Sequence, residues 1–314
     1  MLGSRRKKSR LFIGFLSRDG RRCGIIDTGL GIDVFRKVSL ALHRLRVFPE
    51  WVLLTHDHYD HVANAGWFKD EMGVPIYCHG ADSSLIEQPL KVFDEGYMRR
   101  TYGTTLRESF GEMNRSENEY LQHMDDSIRD RFYPVRIDET VEDGDILEVG
   151  GLEVELMHTP GHSPGHVSVY LPRFGAIFAG DAPLWFGPGR PGPLGSFRDW
   201  VESMERLLLL DTEFIGWGHA VPTRGRSRCH RFLNNTLRRA LEVESAVVEE
   251  IGVEPQTVGE LVEMIYGDNV GVLEDQRKIA EDSVHSLLAS MSLEGRVETV
   301  CEDGVTRWRE RNAS

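Results

Sequence analysis

Short apolar runs alternate with longer amphipathic stretches along the 314-residue chain. The apolar runs predict strands at residues 11–16, 22–26, 51–54, 75–78, 145–157, 167–171, 176–179 and 212–217. The first two strands are joined by an Asp-Gly turn signal at residues 17–20. Apolar residues at helical spacing predict helices over residues 32–45, 62–72 and 197–210. The mixture of strands and intervening helices indicates an α/β fold.

Two stretches depart from this pattern. Residues from about 90 to 133 are rich in charged residues, Met and Tyr, and their weak helical periodicity predicts a helical insertion that borders the site. After about residue 229, helices are predicted at 232–251, 257–266 and 278–293, followed by strands at 296–300 and 305–308 around Asp303-Gly304. Thr257 and Glu260 form a capping-box signature. We therefore predict two domains, residues 1–229 and 230–314.

The densest group of polar residues is Thr55-His56-Asp57-His58-Tyr59-Asp60-His61, directly after the apolar run at 51–54. In open α/β sheets, sites form beyond the ends of strands. On an extended segment His56, His58 and Asp60 project the same way, and a turn after Asp60 brings His61 to the same place. Four such donors can hold two ions, and they suit Zn²⁺, Mn²⁺ or Fe. A solvated polar loop is the alternative, which this density of donors disfavours.

The pattern His56-x-His58-x-Asp60-His61 resembles the signature of the metallo-β-lactamase superfamily of metal-dependent hydrolases. Further segments carry the resemblance in the same order: Thr159-Pro160-Gly161-His162, Gly180-Asp181 and Gly218-His219. The C-terminal helices and hairpin resemble the small winged-helix domain attached to some proteins of this fold. The implied fold is an αββα metallo-β-lactamase sandwich with a helical insertion and a small C-terminal winged-helix domain.

The resemblance also implies a role for each site residue. The first metal would be held by His56, His58 and His162, the second by Asp60, His61 and His219, and Asp181 would bridge them. Asp60 and Asp181 would also act in catalysis by moving a proton. Asp27, His158 and His166 would orient the ligands by hydrogen bonds, with a direct metal role as the alternative for the two histidines. His79 is interpreted as a structural histidine.

The chemistry that follows is hydrolysis. Two cations about 3.5–4 Å apart can share a water and lower its pKa towards ~7, which gives a metal-bridged hydroxide as nucleophile. The segment Thr-Pro-Gly-His-x-x-Gly-His at 159–166 looks most like glyoxalase II-type hydroxyacyl-thioester hydrolases, so we expect a small-molecule ester or thioester as substrate. An endoribonuclease or phosphodiesterase of the same fold is the first alternative. A di-iron oxygen reductase, which typically carries Glu in place of His58, and a non-catalytic binding module are the others.

Composition limits the partners and the compartment. The net charge of −13 opposes nonspecific attraction to nucleic acid or to an anionic membrane. Four cysteines without a Cys-x-x-Cys pair give no disulfide framework and suit a reducing, cytoplasmic location. No stretch approaches ~20 consecutive apolar residues. A basic segment followed by an apolar run is also a feature of signal peptides. Here the apolar run at 11–16 is too short for one, and no small-residue cleavage site follows it.

The C-terminal segment is itself acidic. From residue 231 onwards, nine basic residues stand against seventeen acidic ones, a net charge of −8. Four arginines gather on the predicted hairpin: Arg296, Arg307, Arg309 and Arg311. Because phosphate contacts require a basic surface, we expect only weak nucleic-acid binding. We expect the segment to pack instead against the hydrolase domain or against the second subunit of a homodimer.

Overall fold

Two β-sheets pack face to face at the centre of the protein. The computed structural model describes residues 14–16, 20–102, 126, 129–183, 195–219, 221–252, 254–267, 274–302 and 305–311. The first sheet contains, side by side, β1 (Gly14–Leu16), β2 (Arg22–Ile26), β3 (Phe48–Leu53), β4 (Ile76–His79) and β5 (Glu139–Val141). The second contains, also in order, β6 (Ile146–Val149), β7 (Leu152–His158), β8 (Val167–Leu171), β9 (Ala176–Phe178), β10 (Phe214–Gly216) and β11 (Thr223–Arg224).

Strand direction places the ends of several strands at one edge. Strands β2 to β5 are mutually parallel, so each connection must cross back over the sheet. Three helices make the first two crossings: α1 (Ile32–Leu45), α2 (Tyr59–Val62) and α3 (Ala65–Met72). The second sheet is antiparallel except for the parallel pair β9 and β10. The loops that leave the carboxyl ends of β3, β7, β9 and β10 carry the predicted ligands.

Alternating side chains of the central strand fill two different cores. Val52 packs with Phe35 and Phe68 of the outer helices, whereas its neighbour Leu53 packs with Val169 of the second sheet. Side chains on a strand alternate between faces, and here both faces are buried. This explains why the end of β3, from residue 51 onwards, is a continuous apolar run in the sequence rather than an alternating one.

The predicted insertion begins as helices. After β4 come α4 (Gly80–Glu87), a 3-10 helix (Pro89–Phe93) and α5 (Glu95–Tyr102). Most of the remainder, residues 103–125 and 127–128, lies outside the described residues. At its end, the amide of Tyr133 donates to the carbonyl of Ala63 at 2.8 Å, and the Tyr133 ring lies 4.0 Å from that of Trp67. The end of the insertion is therefore packed into the helix layer over the first sheet.

The C-terminal elements share a core with the second sheet. They are α6 (Phe197–Leu208), α7 (Arg226–Glu250), α8 (Val258–Tyr266), α9 (Glu274–Leu293) and a hairpin of β12 (Val297–Glu302) and β13 (Val305–Glu310). One apolar cluster contains Ile215 of β10, Trp200 of α6, Leu233 of α7, Leu287 of α9 and Trp308 of β13. Helix α7 starts before residue 230 and runs without a break across the predicted domain boundary. The Thr257–Glu260 capping box is confirmed.

Three features differ from the sequence-based expectation. The single helix predicted over 62–72 is divided at Asn64, whose Nδ2 atom donates to the carbonyls of Thr28 and Gly29. Strand β5 was not predicted, because it buries only Val141 and so has no apolar pattern. The segment 145–157 is two strands joined at Gly150 and Gly151, both with positive φ. The segment 185–193, which is rich in Gly and Pro, lies outside the described residues, as do the turn residues 17–19 and 303–304. Among the described helices, none combines the length and the apolar content needed to cross a membrane.

Candidate metal centre

Four connecting segments from the two sheets meet at one edge of the sandwich. Residues 54–61 follow β3, 159–166 join β7 to β8, 179–183 follow β9, and 217–219 follow β10. Backbone hydrogen bonds tie them together: the amide of Val167 donates to the carbonyl of Thr55, and the amide of Gly218 donates to the carbonyl of Gly180, both at 2.8 Å. The predicted donors are therefore carried by backbone that is fixed to both sheets.

All seven predicted ligands come together in two groups, within each of which the donor atoms lie within 4.8 Å of one another. The groups are His56, His58, His162 and Asp181, and Asp60, His61 and His219. Nε2 of His162 lies 3.1 Å from Nδ1 of His58, and Nε2 of His61 lies 3.5 Å from Nε2 of His219. Two donors on one tetrahedral ion at ~2.0–2.2 Å would be about 3.3–3.6 Å apart. The spacing within each group therefore suits one ion.

Asp181 faces both groups. Its Oδ2 atom lies 2.9 Å from Nε2 of His219 and 3.5 Å from Nε2 of His61, which belong to the second group. The same oxygen lies 3.7 Å from Nε2 of His162, which belongs to the first. The carboxylate is 1% exposed. This position between the two groups is the one expected of a bridging ligand.

Buried polar atoms at this place have no hydrogen-bond partner among the described residues. They are Nε2 of His56 and both carboxylate oxygens of Asp181. The Oδ2 atom of Asp181 is close to His219 but not in hydrogen-bonding geometry. Each buried polar atom without a partner costs about 1–3 kcal/mol, and protein interiors seldom tolerate such atoms together. A cation would satisfy all three, so the residues present fit divalent metal ions.

Asp27 orients two of the predicted ligands. Its Oδ2 atom lies 2.8 Å from Nδ1 of His61, which leaves Nε2 of that ring directed at Asp181. Its Oδ1 atom accepts from the amide of Thr55 at 2.8 Å. The Thr55 hydroxyl, held by the same carboxylate, lies 2.9 Å from Nδ1 of His56. Asp27 therefore fixes both rings through their Nδ1 atoms, which leaves each Nε2 atom to face the site.

His166 lies beside the backbone of Asp181 and not within either donor group. The amide of Asp181 donates to Nε2 of His166 at 3.1 Å, and Nδ1 lies 2.9 Å from Oγ1 of Thr159. Burial lowers the pKa of His166 to about 3, so the ring is neutral and can accept this hydrogen bond. The residue is placed to orient Asp181 through its main chain.

His158 lies further out. Its ring stacks on that of His79 with centroids 4.1 Å apart, and its Nε2 atom lies 2.9 Å from the carbonyl of Pro164. Nδ1 of His79 accepts the amide of Ala81 at the start of α4. The pair thus shapes the 159–166 loop and the helix beside it. His79 has the structural role that the sequence indicated.

Sequence reasoning missed Asp82, which holds the His162 loop from α4. This carboxylate is 1% exposed. It accepts from the Ser163 hydroxyl at 2.6 Å and from the amide of Gly165 at 2.7 Å. Burial raises the pKa of Asp82 to about 6, against the opposing effect of these hydrogen bonds. Asp82 has no motif of its own, and only the packing of α4 reveals its role.

The electrostatics keep the lone pairs of two imidazoles available and make Asp181 anionic. Burial lowers the pKa of His56 well below its usual value and that of His58 to about 4, so both rings are neutral near pH 7. Burial acts the same way on His61, but the carboxylates of Asp181 and Asp27 outweigh it and raise its pKa. Burial opposes ionisation of Asp181, yet the neighbouring imidazoles hold its pKa well below the usual range. An anionic carboxylate beside the neutral rings of His56 and His58 is a good cation site.

Gly218 makes room for the centre. A Cβ atom at this position would lie 2.1 Å from Oδ1 of Asp181 and 2.8 Å from Cε1 of His61. Any side chain there would therefore displace two of the predicted donors. The glycine before His219 is required by close approach, not by its backbone conformation.

Comparison with known proteins agrees with this geometry. The sequence model of the metallo-beta-lactamase superfamily matches residues 14–219. The chain belongs to this superfamily. Its members are mostly metal-dependent hydrolases, and the matched residues contain every predicted ligand.

Relatives of this metallo-beta-lactamase superfamily protein differ in how much of the chain they cover. An uncharacterised protein of Mycobacterium tuberculosis is 28% identical over 232 residues, covering 70% of this chain and 91% of its own length. The hydroxyacylglutathione hydrolase GloC of Haemophilus influenzae is 26% identical over 222 residues, covering 69% and 90%. A metallo-beta-lactamase family protein of Thermus thermophilus has a similar fold, with a TM-score of 0.66 and 23% identity over 96% of this chain and 94% of its own. That likeness of fold extends into the C-terminal helices.

Proposed function

We propose that this protein is a dinuclear metal-dependent hydrolase that acts on a small-molecule ester or thioester. The observation that carries the proposal is the position of Asp181. This buried carboxylate lies between two groups of donors, and neither of its oxygens has a hydrogen-bond partner in the described part of the chain. We assign the ions, most simply Zn²⁺ with Mn²⁺ or Fe as alternatives, to the seven residues named above. When bound, two such ions supply Lewis acidity and a water of lowered pKa.

The chain's own residues would orient the ligands and handle the proton. Asp27 and Thr55 hold His56 and His61 by their Nδ1 atoms, and His166 holds the main chain of Asp181. Asp60 is part-exposed at the mouth of the site, with Oδ2 3.6 Å from Nε2 of His219. We assign proton transfer to Asp60 and Asp181, because carboxylates beside the reacting atoms can accept and return a proton.

The substrate class rests on likeness and on the motif at 159–166. The relative from Haemophilus influenzae is named as a hydroxyacylglutathione hydrolase and is covered over 90% of its length. A hydroxyacyl thioester is therefore the substrate we expect to be hydrolysed fastest.

We also infer that α7 to α9 and the β12–β13 hairpin form a winged-helix-like unit, and that the protein works in the cytoplasm, where its four thiols stay reduced.

The test is metal analysis together with a hydrolysis screen. After reconstitution, elemental analysis should find about two transition-metal ions per folded chain. Thioesters, lactones, β-lactams, phosphodiesters and RNA are then compared side by side, with a chelator-treated sample as control. We expect chelator-sensitive hydrolysis that is fastest on a hydroxyacyl thioester. A folded, reconstituted protein that holds no metal would refute the proposed centre, and preference for a phosphodiester would refute the substrate class.

A further inference from the structure

Helix α6 touches the segment that carries Asp181. Trp200, which is 1% exposed, donates its indole Nε1–H to the carbonyl of Ala182 at 2.6 Å. Ala182 directly follows Asp181 and comes just before the segment 184–194. This hydrogen bond therefore fixes the main chain on the far side of Asp181 from Gly180.

The same helix also holds the segment that carries His162. The Ser203 hydroxyl donates to the carbonyl of Pro160 at 2.8 Å, and the amide of Ser196 donates to the carbonyl of Gly161 at 3.0 Å. A Cβ atom at Gly161 would lie 2.4 Å from the main chain of Trp200. The loop and the helix are in backbone contact, so neither can shift without the other.

A C-terminal helix supports the start of α6. The first amides of a helix lack partners within it, and here the amide of Phe197 donates to the Ser290 hydroxyl of α9 at 2.7 Å. Ser290 is buried. The ring of Phe197 in turn stacks on that of Trp200 with centroids 5.9 Å apart. A continuous set of contacts thus runs from α9 through α6 to the carbonyl beside Asp181.

We propose that Trp200 is a positioning residue for the metal centre: from α6, its indole N–H sets the main chain that carries Asp181 relative to the His162 loop, with α9 supporting the helix. The proposal rests on the proposed function, because it concerns ligands of the assigned ions. Residues that orient metal ligands by hydrogen bonds typically change metal affinity or activity about 10–100-fold when they are removed. Trp200 acts through Ala182 and Asp181 and touches no substrate.

Trp200→Phe is the informative variant, since it removes the indole donor and keeps an aromatic ring. Trp51→Phe is a matched control. Trp51 is also buried, and its Nε1 atom donates to the carbonyl of Glu148 at 3.0 Å, between β3 and the edge strand β6. Both variants lose one indole-to-carbonyl hydrogen bond from the sandwich. Only the first loses one beside a predicted ligand.

Four quantities are measured in the full-length protein: Zn²⁺ affinity by chelator competition, the visible spectrum of the Co²⁺-loaded form, kcat with KM, and the melting temperature without metal. We expect Trp200→Phe to weaken Zn²⁺ binding and to lower kcat about 10-fold or more, to shift the Co²⁺ bands, and to leave KM within about twofold. Trp51→Phe should lower the melting temperature and leave the Zn²⁺ affinity and the Co²⁺ spectrum unchanged.

The outcomes separate this inference from the proposed function. Wild-type protein that takes up no metal refutes both. Wild-type protein that binds metal, with Trp200→Phe indistinguishable from Trp51→Phe in Zn²⁺ affinity and Co²⁺ spectrum, refutes the positioning role alone. If Trp200→Phe does not fold, Ser290→Ala answers the same question, because it releases the start of α6 and leaves the indole in place. In Ser290→Ala, a shift of the Co²⁺ bands in the same direction as expected for Trp200→Phe, but smaller, supports the proposal. An unchanged Co²⁺ spectrum and Zn²⁺ affinity in this variant refute it.

Discussion

At the scale of single residues, Asp181 is the most constrained side chain of the centre. Three imidazoles from different segments approach one of its oxygens, and Gly218 leaves no spare volume beside the other. Among the described residues, neither oxygen of this carboxylate has a hydrogen-bond partner. Its burial makes sense only if the charge is compensated by cations.

We predict that Asp181→Ala abolishes hydrolysis and loosens at least one metal, because a bridging carboxylate serves both ions. Metal content after dialysis against a weak chelator, with turnover of the best substrate, measures both effects. Asp181→Asn serves as the control for shape, since it keeps the volume and loses the charge. Near-normal turnover in Asp181→Ala would show that Asp181 is not the bridge.

The neighbouring histidine should behave differently. We predict that His166→Ala lowers activity about 10–100-fold and retains both metals, because it removes the acceptor of the Asp181 amide without removing a ligand. The matched control is His158→Ala at the end of β7, which should have a smaller effect because His158 contacts His79 and Pro164. Loss of a full equivalent of metal from His166→Ala would make His166 a ligand.

At the scale of elements, the insertion has two parts with different roles. Its end is structural: Phe132 packs against the apolar cluster of the first sheet, and Tyr133 is bound to Ala63 and Trp67. Its beginning is partly structural too, since Met98 of α5 is fully buried. The predicted boundaries at about 90 and 133 therefore include residues on which the hydrolase core depends.

We predict that replacing residues 103–128 by a short Gly-Ser linker leaves metal uptake intact and changes turnover or substrate preference. None of the assigned ligands lies in that stretch. Removal of the whole of residues 90–133 should in addition lower the free energy of unfolding, because Tyr133 and Met98 are lost. Metal analysis and urea unfolding of the two variants make the comparison. Failure of the folded 103–128 variant to bind metal would place the insertion within the centre.

At the scale of the whole molecule, charge bears on nucleic acid as a partner. Three of the four hairpin arginines that looked available in the sequence are paired with carboxylates. Arg296 contacts Glu244 and Glu294, Arg307 contacts Glu260, and Arg309 contacts Glu298. Exposed pairs of this kind contribute little to stability, but they neutralise the surface that phosphate would need. The acidic field of the C-terminal segment therefore remains largely uncompensated.

We predict that RNA binding is weak, with a Kd above ~10 μM near physiological salt, which is no better than nonspecific affinity. Titrations with single-stranded and structured RNA at two salt concentrations measure it. The double variant Arg307→Ala with Arg309→Ala should change nothing. Sub-micromolar binding that falls steeply with salt and is lost in the double variant would instead make a nuclease the leading function.

The sequence by itself indicated the predicted ligands and most of the elements. Four of the predicted ligands are close together in the sequence, so local geometry alone brings them together in space. They are His56, His58, Asp60 and His61. The periodicity of a helix or strand and the capping of a helix also depend on residues that are near one another in the sequence. For this reason α1 and the capping box of α8 could be predicted. The acidic balance of the C-terminal segment could be counted directly.

Only the tertiary structure decided what holds those ligands in place. Asp82 reaches Ser163 across 81 positions of the chain, and Ser290 reaches Phe197 across 93, with no motif at either end. The helix predicted over 62–72 is confirmed only over Ala65–Met72. It is interrupted at residues 63–64, where Asn64 binds the main chain of residues 28 and 29. Ligand chemistry needs particular residue types at particular spacings, so the sequence records it. A residue that holds a ligand in place needs only a donor or an acceptor at the right position in space, and that position is set by how helices pack on sheets.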